Sequence, residues 1–194
     1  MGEARVKLAA AAAAVLVGGI LVALAVAGRS EPSDFAAGGA APQRGEITDL
    51  GPAARQAGCE ARDFREEGDG TTADPVDYRS DPPHSGRHGP EPAQDGAYYD
   101  DPPPAEAIVH ALRHGRIAIW FNPGLGGDEK ADIKALFDED SPHMILLPRE
   151  SMPYEVAATA WTHRLVCERF DAKSFDALRA FRDRYRDRGP EFVP

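Results

Sequence analysis

The longest uninterrupted run of hydrophobic positions in the chain lies close to its start. Residues 8–27 are twenty consecutive uncharged, mostly apolar positions, and Arg5 and Lys7 precede them. As a helix with a rise of 1.5 Å per residue, this run would be about 30 Å long, which matches the hydrocarbon core of a bilayer. The pattern therefore predicts a transmembrane anchor over residues 1–29, with its N-terminus in the cytoplasm because cationic residues favour that side.

A cleaved signal peptide is the alternative interpretation of the same run. Residues 25–27 read "AVA", a small-residue pattern of the kind that signal peptidase cuts. The apolar regions of signal peptides usually span about 7 to 15 residues, which is shorter than this run and favours an uncleaved anchor. We therefore expect a single-pass protein of the cell membrane, with everything after the anchor outside the cytoplasm.

The segment after the apolar run contains few large apolar residues. Residues 30–57 are rich in alanine, glycine and proline, a composition typical of flexible linkers. We expect this linker to hold an extracytoplasmic globular domain, residues 58–194, away from the membrane. The domain begins with a turn-rich stretch, residues 60–104, and a stretch of that length within a domain is usually functional or disordered.

Periodic hydrophobic patterns begin after this stretch. Three segments place apolar residues on one helical face between capping signals, and three others are apolar or alternating runs typical of strands. In chain order they predict a helix at 104–114, a strand at 116–121, a helix from 128, a strand at 143–148, a strand at 156–167 and a helix from 174.

The segment at 156–167 alternates over its whole length. As one strand it would place Thr159, Trp161, His163, Leu165 and Cys167 on the same face. The order of the elements favours an α+β fold, in which two successive strands can pair as antiparallel neighbours. We predict a small sheet of about three or more strands with helices on one face.

Charge limits the choice of partners. Of the 22 basic and 32 acidic residues, 19 and 31 lie after residue 29, which gives that part of the chain a net charge of −12. A surface of this sign repels phosphate backbones, so we expect no nucleic-acid partner. The sequence predicts contact with the membrane through the N-terminal helix and does not indicate a protein partner.

Both cysteines lie in the part of the chain that is predicted to be exported. Cys59 and Cys167 are 108 positions apart, and neither belongs to a CxxC pair of the redox or zinc type. In an oxidising compartment an even number of cysteines favours a disulfide. Two free, buried thiols are the alternative.

Four histidines stand at positions that could share one metal ion. His84 and His88 lie in "PPHSGRHGPEP", whose prolines and glycines exclude an ordinary helix or strand, and His110 and His114 lie four residues apart in the predicted helix. That spacing places two imidazoles one turn apart on a helix. A third imidazole from the loop, His88, would give the three-nitrogen arrangement of copper or zinc sites, with His84 as a fourth ligand.

A role without metal is the other interpretation of these histidines. Imidazoles in the last turn of a helix interact favourably with its negative end and need no other partner. Arg113 also weighs against a metal ion, because it places a cation beside His110 and His114. We expect His163, on the same predicted strand face as Trp161, to be a hydrogen-bonded core residue and not a ligand.

Several stretches resemble a known family, domain of unknown function 3105, which consists largely of bacterial membrane-anchored proteins of unestablished activity. They read "GC" at residues 58–59, "DPPHSGRHGP", "GAYYDDPPPAEAIVHALRHG" and "VAATAWTHRLVC" with "FRDRYRDRGPE" after it. The resemblance covers residues 58–192. The central motifs of the family look like PPxSGxH and VHxLEHG, so the resemblance points to His88, His110 and His114.

The chain departs from the family pattern at three places. His84 stands where the family usually has threonine, and Arg113 stands where it usually has glutamate. The stretch "TTADPVDY" replaces a segment in which the family usually has a histidine. The resemblance therefore supports His84 as a ligand less than the other three histidines.

No motif predicts catalysis. Ser85 lies in "HSGRH", which lacks the G-x-S-x-G pattern of a hydrolase, and "GLGGDEK" lacks the ending of a phosphate-binding loop. We expect an exported, membrane-anchored domain that binds copper or zinc through histidines. The alternative function is a protein-interaction module at the membrane surface, without metal or catalysis. A metal-dependent enzyme is a third hypothesis, but it needs an open coordination position and a base, and the sequence shows neither.

Overall fold

The computed structural model describes residues 34–150 and 152–191, and the predicted membrane anchor lies outside them. None of the helices in this described part is long and apolar enough to cross a membrane. In chain order the elements are α1 (Leu50–Gln56), β1 (Cys59–Asp63), β2 (Gly96–Ala97), α2 (Ala105–Arg113), β3 (Ile117–Phe121), α3 (Gly127–Asp138), β4 (Met144–Pro148), β5 (Val156–Ala160), β6 (His163–Cys167) and α4 (Ser174–Tyr185).

A six-stranded sheet in the order β1-β6-β5-β3-β4-β2 forms the centre of the domain. β4 runs parallel to both β3 and β2, whereas β5 runs antiparallel to β3 and β6, and β6 runs antiparallel to β1. The segment β3–α3–β4 is thus a parallel crossover unit, and β5 and β6 extend the sheet on the other side of β3 as a hairpin. The predicted α+β class is confirmed.

β3 is buried on both faces because its sequence is apolar at every position. Ile117, Ile119 and Phe121 face a hydrophobic cluster with α1, α3 and α4, whereas Ala118 and Trp120 face a second cluster with α2. A strand of this kind needs cover on both sides of the sheet. Helices therefore lie on both faces, and the prediction that they lie on one face is wrong.

The segment at 156–167 is a hairpin of two strands and not the single strand that its alternation predicts. The chain reverses at Trp161 and Thr162, where Thr162 has a φ of 63°. Two-residue hairpin turns use such angles, but this pair lacks the glycine or asparagine that normally signals them. Because of the reversal, Leu165 and Cys167 face the cluster with α4, whereas Trp161 faces the cluster with α2.

Residues 34–57 pack against the domain, so the prediction of a flexible linker is wrong for this part. Leu50 and Ala53 are buried where α1 contacts α4 and β1. Further upstream, the ring of Phe35 lies edge-on to that of Phe121, with ring centroids 5.7 Å apart. The few large apolar residues of this segment are therefore enough to attach it to the core.

Cys59 and Cys167 form the predicted disulfide, which joins β1 to β6. The two residues are direct partners in the antiparallel ladder, and their Cα atoms are 4.2 Å apart. β1 is an edge strand of five residues that the sequence analysis did not predict. The bridge therefore ties this edge strand, and α1 before it, to the β5–β6 hairpin.

Candidate functional site

The proline-rich loop at residues 82–92 is held against α2 by its backbone. Gly89 N donates a hydrogen bond to Glu106 O (3.1 Å), and just after the loop Ala93 N donates to Ala107 O (2.9 Å). These bonds use carbonyl groups of the first turn of α2. Since proline fixes its own φ angle, the loop has little freedom to leave this position.

His88 is fixed in the loop by its backbone and by its ring. Its N–H donates to Gly70 O (3.1 Å), and its C=O accepts from Thr72 N (2.8 Å). The side chain is buried, and its Nδ1 donates to the carbonyl oxygen of Gly86 (3.2 Å). A neutral imidazole with its proton on Nδ1 keeps a lone pair on Nε2, as metal-binding histidines commonly do.

Three imidazoles contact one another in a row. His110 lies in the last turn of α2 and His114 caps the C-terminus of this helix. The centroids of their rings are 4.5 Å apart, and the centroids of the His88 and His110 rings are 4.7 Å apart. Trp161 lies beside His88, with ring centroids 6.4 Å apart. We call His88, His110 and His114 the histidine cluster. The structure thus brings together three of the four histidines that the sequence analysis selected.

The two imidazoles at the C-terminal end of α2, those of His110 and His114, are biased towards the neutral form. Burial lowers the pKa of His110 below its ordinary value, and the neighbouring His114 and His88 lower it further. Burial likewise lowers the pKa of His114, against the opposing charge of Glu191. Neutral imidazole is the form that binds a metal ion.

One nitrogen of the histidine cluster has no partner. The Nδ1 atom of His110 is buried and makes no hydrogen bond of ordinary length to any residue that the structure describes, although the backbone of Gly89 is near enough to the ring to raise the pKa of His110 against the effect of burial. Leaving a buried polar atom unsatisfied costs about 1–3 kcal/mol, and buried atoms of this kind are uncommon in native proteins. In the tautomer with its proton on Nε2, this atom presents a lone pair that a cation could accept.

Arg113 and Glu191 border the histidine cluster. Arg113 Nε donates to Glu191 Oε2 (3.0 Å), and the guanidinium also pairs with Asp69 and lies 5.6 Å from the centroid of the Trp161 ring. The same Glu191 oxygen is 3.8 Å from Nε2 of His114. Two carboxylates therefore offset the Arg113 charge that the sequence analysis counted against a metal ion.

The sequence analysis did not identify Asp69, Gly86 or Glu191 as part of this region. Glu191 is 78 positions from Arg113, and its only signal was its place in the family-like stretch "FRDRYRDRGPE". Asp69 and Gly86 come from turn-rich residues without a periodic pattern. Their proximity to the helix depends on the path of the loops, which the hydrophobic pattern does not encode.

His84 lies apart from the ring contacts of the histidine cluster. Its buried ring stacks on Phe64, with centroids 4.4 Å apart, and its Nδ1 is 3.0 Å from Ser85 Oγ. Its Nε2 is 3.5 Å from Glu67 Oε1. Burial lowers the pKa of His84, against the charge of Glu67. The structure therefore places His84 against an aromatic ring and a carboxylate, not against the other three imidazoles.

His163 is hydrogen-bonded, as the sequence predicts, but it is partly exposed and does not share a face with Trp161. Its Nδ1 is 2.7 Å from Asp63 Oδ1, and its ring stacks on Tyr185 with centroids 3.9 Å apart. Tyr185 OH donates to the same Asp63 oxygen (3.1 Å). The hydrogen bond with His163 is the first cause of the lowered pKa of Asp63. This group links β1, β6 and α4.

The side chains as they stand do not form a complete coordination site. Among the described residues, no group of three or more histidine, cysteine, aspartate or glutamate side chains is arranged so that it could hold a metal ion. The histidine cluster supplies three imidazoles in contact. Rotation about their side-chain torsions is required to direct one nitrogen from each towards a common point.

The fold and the site together define an α+β domain with a histidine cluster between a proline-rich loop and one helix. A comparison with protein-family models matches residues 70–193 to the family described as "Protein of unknown function (DUF3105)". The match spans well over half of the chain, so the chain belongs to this family, as the sequence motifs predicted. Searches of curated proteins and of solved structures found no significant match.

Proposed function

We propose that this protein is a membrane-anchored, extracytoplasmic domain that binds a transition-metal ion through His88, His110 and His114. The observation that carries the proposal is the buried Nδ1 atom of His110. It lacks a hydrogen-bond partner among the described residues, although two imidazoles contact its ring. A metal ion bound to this atom would remove the cost of the missing partner and would find further ligands in the neighbouring rings.

Copper and zinc are the metal ions that this ligand set favours. Imidazole nitrogen suits both ions, whereas magnesium and calcium prefer oxygen ligands. Both cysteines are in the disulfide, so no thiolate competes as a ligand. Burial lowers the pKa of His110 and of His114, which keeps these imidazoles in the ligand form.

The proposed location outside the cytoplasm rests on two observations. Residues 8–27 are long and apolar enough to span a bilayer once, and Arg5 and Lys7 favour a cytoplasmic N-terminus. The disulfide between Cys59 and Cys167 supports the same location, because disulfides persist in oxidising compartments and are rare in the cytosol.

Metal titration tests the proposed function. Full-length protein is purified in detergent, freed of metal with a chelator and titrated calorimetrically with Zn²⁺ and with Cu²⁺. We expect one site per chain in the wild type. The His110→Ala/His114→Ala double variant should bind about 100-fold more weakly or worse, since even indirect changes around metal ligands cost 10–100-fold. His163→Asn is the matched control, because it removes a histidine outside the histidine cluster, and it should bind as the wild type does.

Equal, weak binding by the wild type and the double variant would refute the metal site. Urea unfolding of the metal-free double variant checks that it still folds. The protein would then be assigned to the second function that the sequence predicts, a protein-interaction module at the membrane surface. In that case the histidine cluster would be part of the packing between the loop and α2.

A further inference from the structure

The residues after α4 return to the C-terminal end of α2. Asp187 N donates to Gly115 O (2.8 Å), and Glu191 N donates to Arg113 O (3.1 Å). Only glycine fits at position 189, because a Cβ atom on Gly189 would lie 2.2 Å from the carbonyl oxygen of Arg113. These contacts fix the backbone of Glu191 beside the last turn of α2.

The Glu191 carboxylate reaches the edge of the histidine cluster. Its Oε2 atom is 3.8 Å from Nε2 of His114. Two ligand atoms of a tetrahedral zinc ion, each about 2.0–2.1 Å from the metal, are roughly 3.4 Å from each other. The observed distance exceeds this ligand spacing only slightly, so a small side-chain movement would allow both atoms to bind one ion.

We infer that Glu191 supplies a fourth, oxygen ligand to the metal site proposed above, and this inference rests on that proposed function. Arg113 acts as a positioning residue, because its Nε donates to the Glu191 carboxylate at 3.0 Å. The same Oε2 atom accepts this hydrogen bond and lies nearest to His114, but a carboxylate oxygen has two lone pairs, so it can accept a hydrogen bond with one and bind a metal ion with the other. Arg113 therefore orients the ligand without preventing its coordination.

An oxygen ligand would make the site bind divalent ions in preference to Cu⁺. A carboxylate oxygen commonly joins histidine nitrogens around Zn²⁺, and mixed nitrogen and oxygen ligands also suit Cu²⁺, whereas Cu⁺ prefers soft sulfur ligands and gains little from a carboxylate. Glu191 also brings a negative charge to a site whose other proposed ligands are uncharged when they bind a metal ion. We therefore expect Glu191 to contribute to the binding of the divalent ions and not to the binding of Cu⁺.

The test compares Glu191→Gln with Asp69→Asn in the full-length protein. Both variants remove a carboxylate that pairs with Arg113, but of these two carboxylates only that of Glu191 lies within 4 Å of an imidazole of the histidine cluster. Zn²⁺ and Cu²⁺ are titrated calorimetrically, and Cu⁺ is measured by competition with a chromophoric chelator. The affinity of Glu191→Gln for both divalent ions should be about 10–100-fold lower than that of the wild type, and its affinity for Cu⁺ should be unchanged. Asp69→Asn should bind all three ions as the wild type does.

Three results would overturn the inference, and they can be told apart. Equal losses in Glu191→Gln and Asp69→Asn would mean that Glu191 acts only through the charge of Arg113. Wild-type binding by Glu191→Gln, together with loss of binding in the His110→Ala/His114→Ala variant, would refute Glu191 as a ligand and leave the proposed function intact. Wild-type binding by that double variant would refute the proposed function itself.

The Cu²⁺ electron paramagnetic resonance spectrum of Glu191→Gln should also change if an oxygen ligand is lost.

Discussion

Burial lowers the pKa of several imidazoles of this protein, but the unpaired nitrogens of these rings have different surroundings. Burial is the first cause of the lowered pKa of His84, His110 and His114. Nδ1 of His110 and Nε2 of His84 both lack a hydrogen-bond partner among the described residues. The ring of His110 contacts two other imidazoles, whereas that of His84 stacks on Phe64. We therefore propose that His110 binds the metal ion, and we expect His84 to affect the stability of the folded protein.

His84 should make the stability of the folded protein depend on pH. Its folded-state pKa is lower than the unfolded value of about 6.5, so the unfolded chain takes up the proton first as the pH falls. The stability that neutral His84 provides is present above about pH 6.5 and is lost as the pH falls from there towards the folded-state pKa. Between pH 7.5 and 5.5 this loss is at most about 1.4 kcal/mol, and urea unfolding of the metal-free protein measures it.

His84→Thr is the variant that isolates this effect. Threonine does not titrate, so the stability of the variant should fall less between pH 7.5 and 5.5 than that of the wild type. His110 and His114 contribute in both proteins and cancel in the comparison. The variant should also be less stable at pH 7.5, because it loses the stacking on Phe64. An identical pH dependence in the two proteins would contradict this role of His84.

At the scale of elements, the hydrophobic pattern predicts those that carry a complete apolar face. The helix expected at 104–114 is α2, Ala105–Arg113, and the strand expected at 116–121 is β3, Ile117–Phe121. α3, β4 and α4 also begin within one residue of their predicted positions. α1, β1 and β2 were missed because each is short and is held by elements that are distant in sequence: α1 packs on α4, β1 pairs with β6 and β2 pairs with β4. The β5–β6 turn was missed because its residues are not typical of turns.

The local sequence likewise predicts one part of the candidate site, whereas the rest depends on residues that are distant in the chain. The spacing of His110 and His114 predicts that they share one side of a helix, and their rings are in contact. The approach of His88 to His110 depends on backbone hydrogen bonds between the proline-rich loop and α2. Glu191 reaches the site only because the chain after α4 returns to α2, and no local pattern encodes that return.

The packing of α1 gives a prediction about the segment that was expected to be a linker. Leu50 is 6% exposed and lies in the cluster with α4. Leu50→Ala should therefore lower the free energy of unfolding by about 2–4 kcal/mol, as large-to-small core substitutions do. Arg55→Ala on the same helix is the matched control, because Arg55 is exposed and should change the stability by less than about 0.5 kcal/mol.

Urea unfolding of the two α1 variants measures this difference. A flexible linker would tolerate both substitutions equally well. If Leu50→Ala were as stable as Arg55→Ala, residues 34–57 would not be part of the cooperatively folded domain. A large loss for Leu50→Ala alone would assign α1 to that domain.

At the scale of the whole molecule, the disulfide and the N-terminal apolar run both bear on the proposed location of the domain outside the cytoplasm. The bridge joins an edge strand to the sheet across 108 positions, and loss of a native disulfide typically costs about 2–5 kcal/mol. A chain retained in the reducing cytosol would lose this contribution. Under the proposed location, export through the segment at residues 1–29 would be required for the full stability of the domain, and the oxidation state of the cysteines tests that location.

We expect the cysteines of full-length protein extracted from membranes to resist alkylation when the protein is unfolded without reductant. After reduction, Cys59 and Cys167 should both react. The Cys59→Ser variant is the control, because its remaining thiol should react without reductant and thereby show that the reagent has access. A chain that begins after residue 29 stays in the cytosol and should react at both positions before reduction. Labelling of the unreduced full-length protein at both cysteines would refute the bridge in the cell, and with it the main structural support for an extracytoplasmic domain.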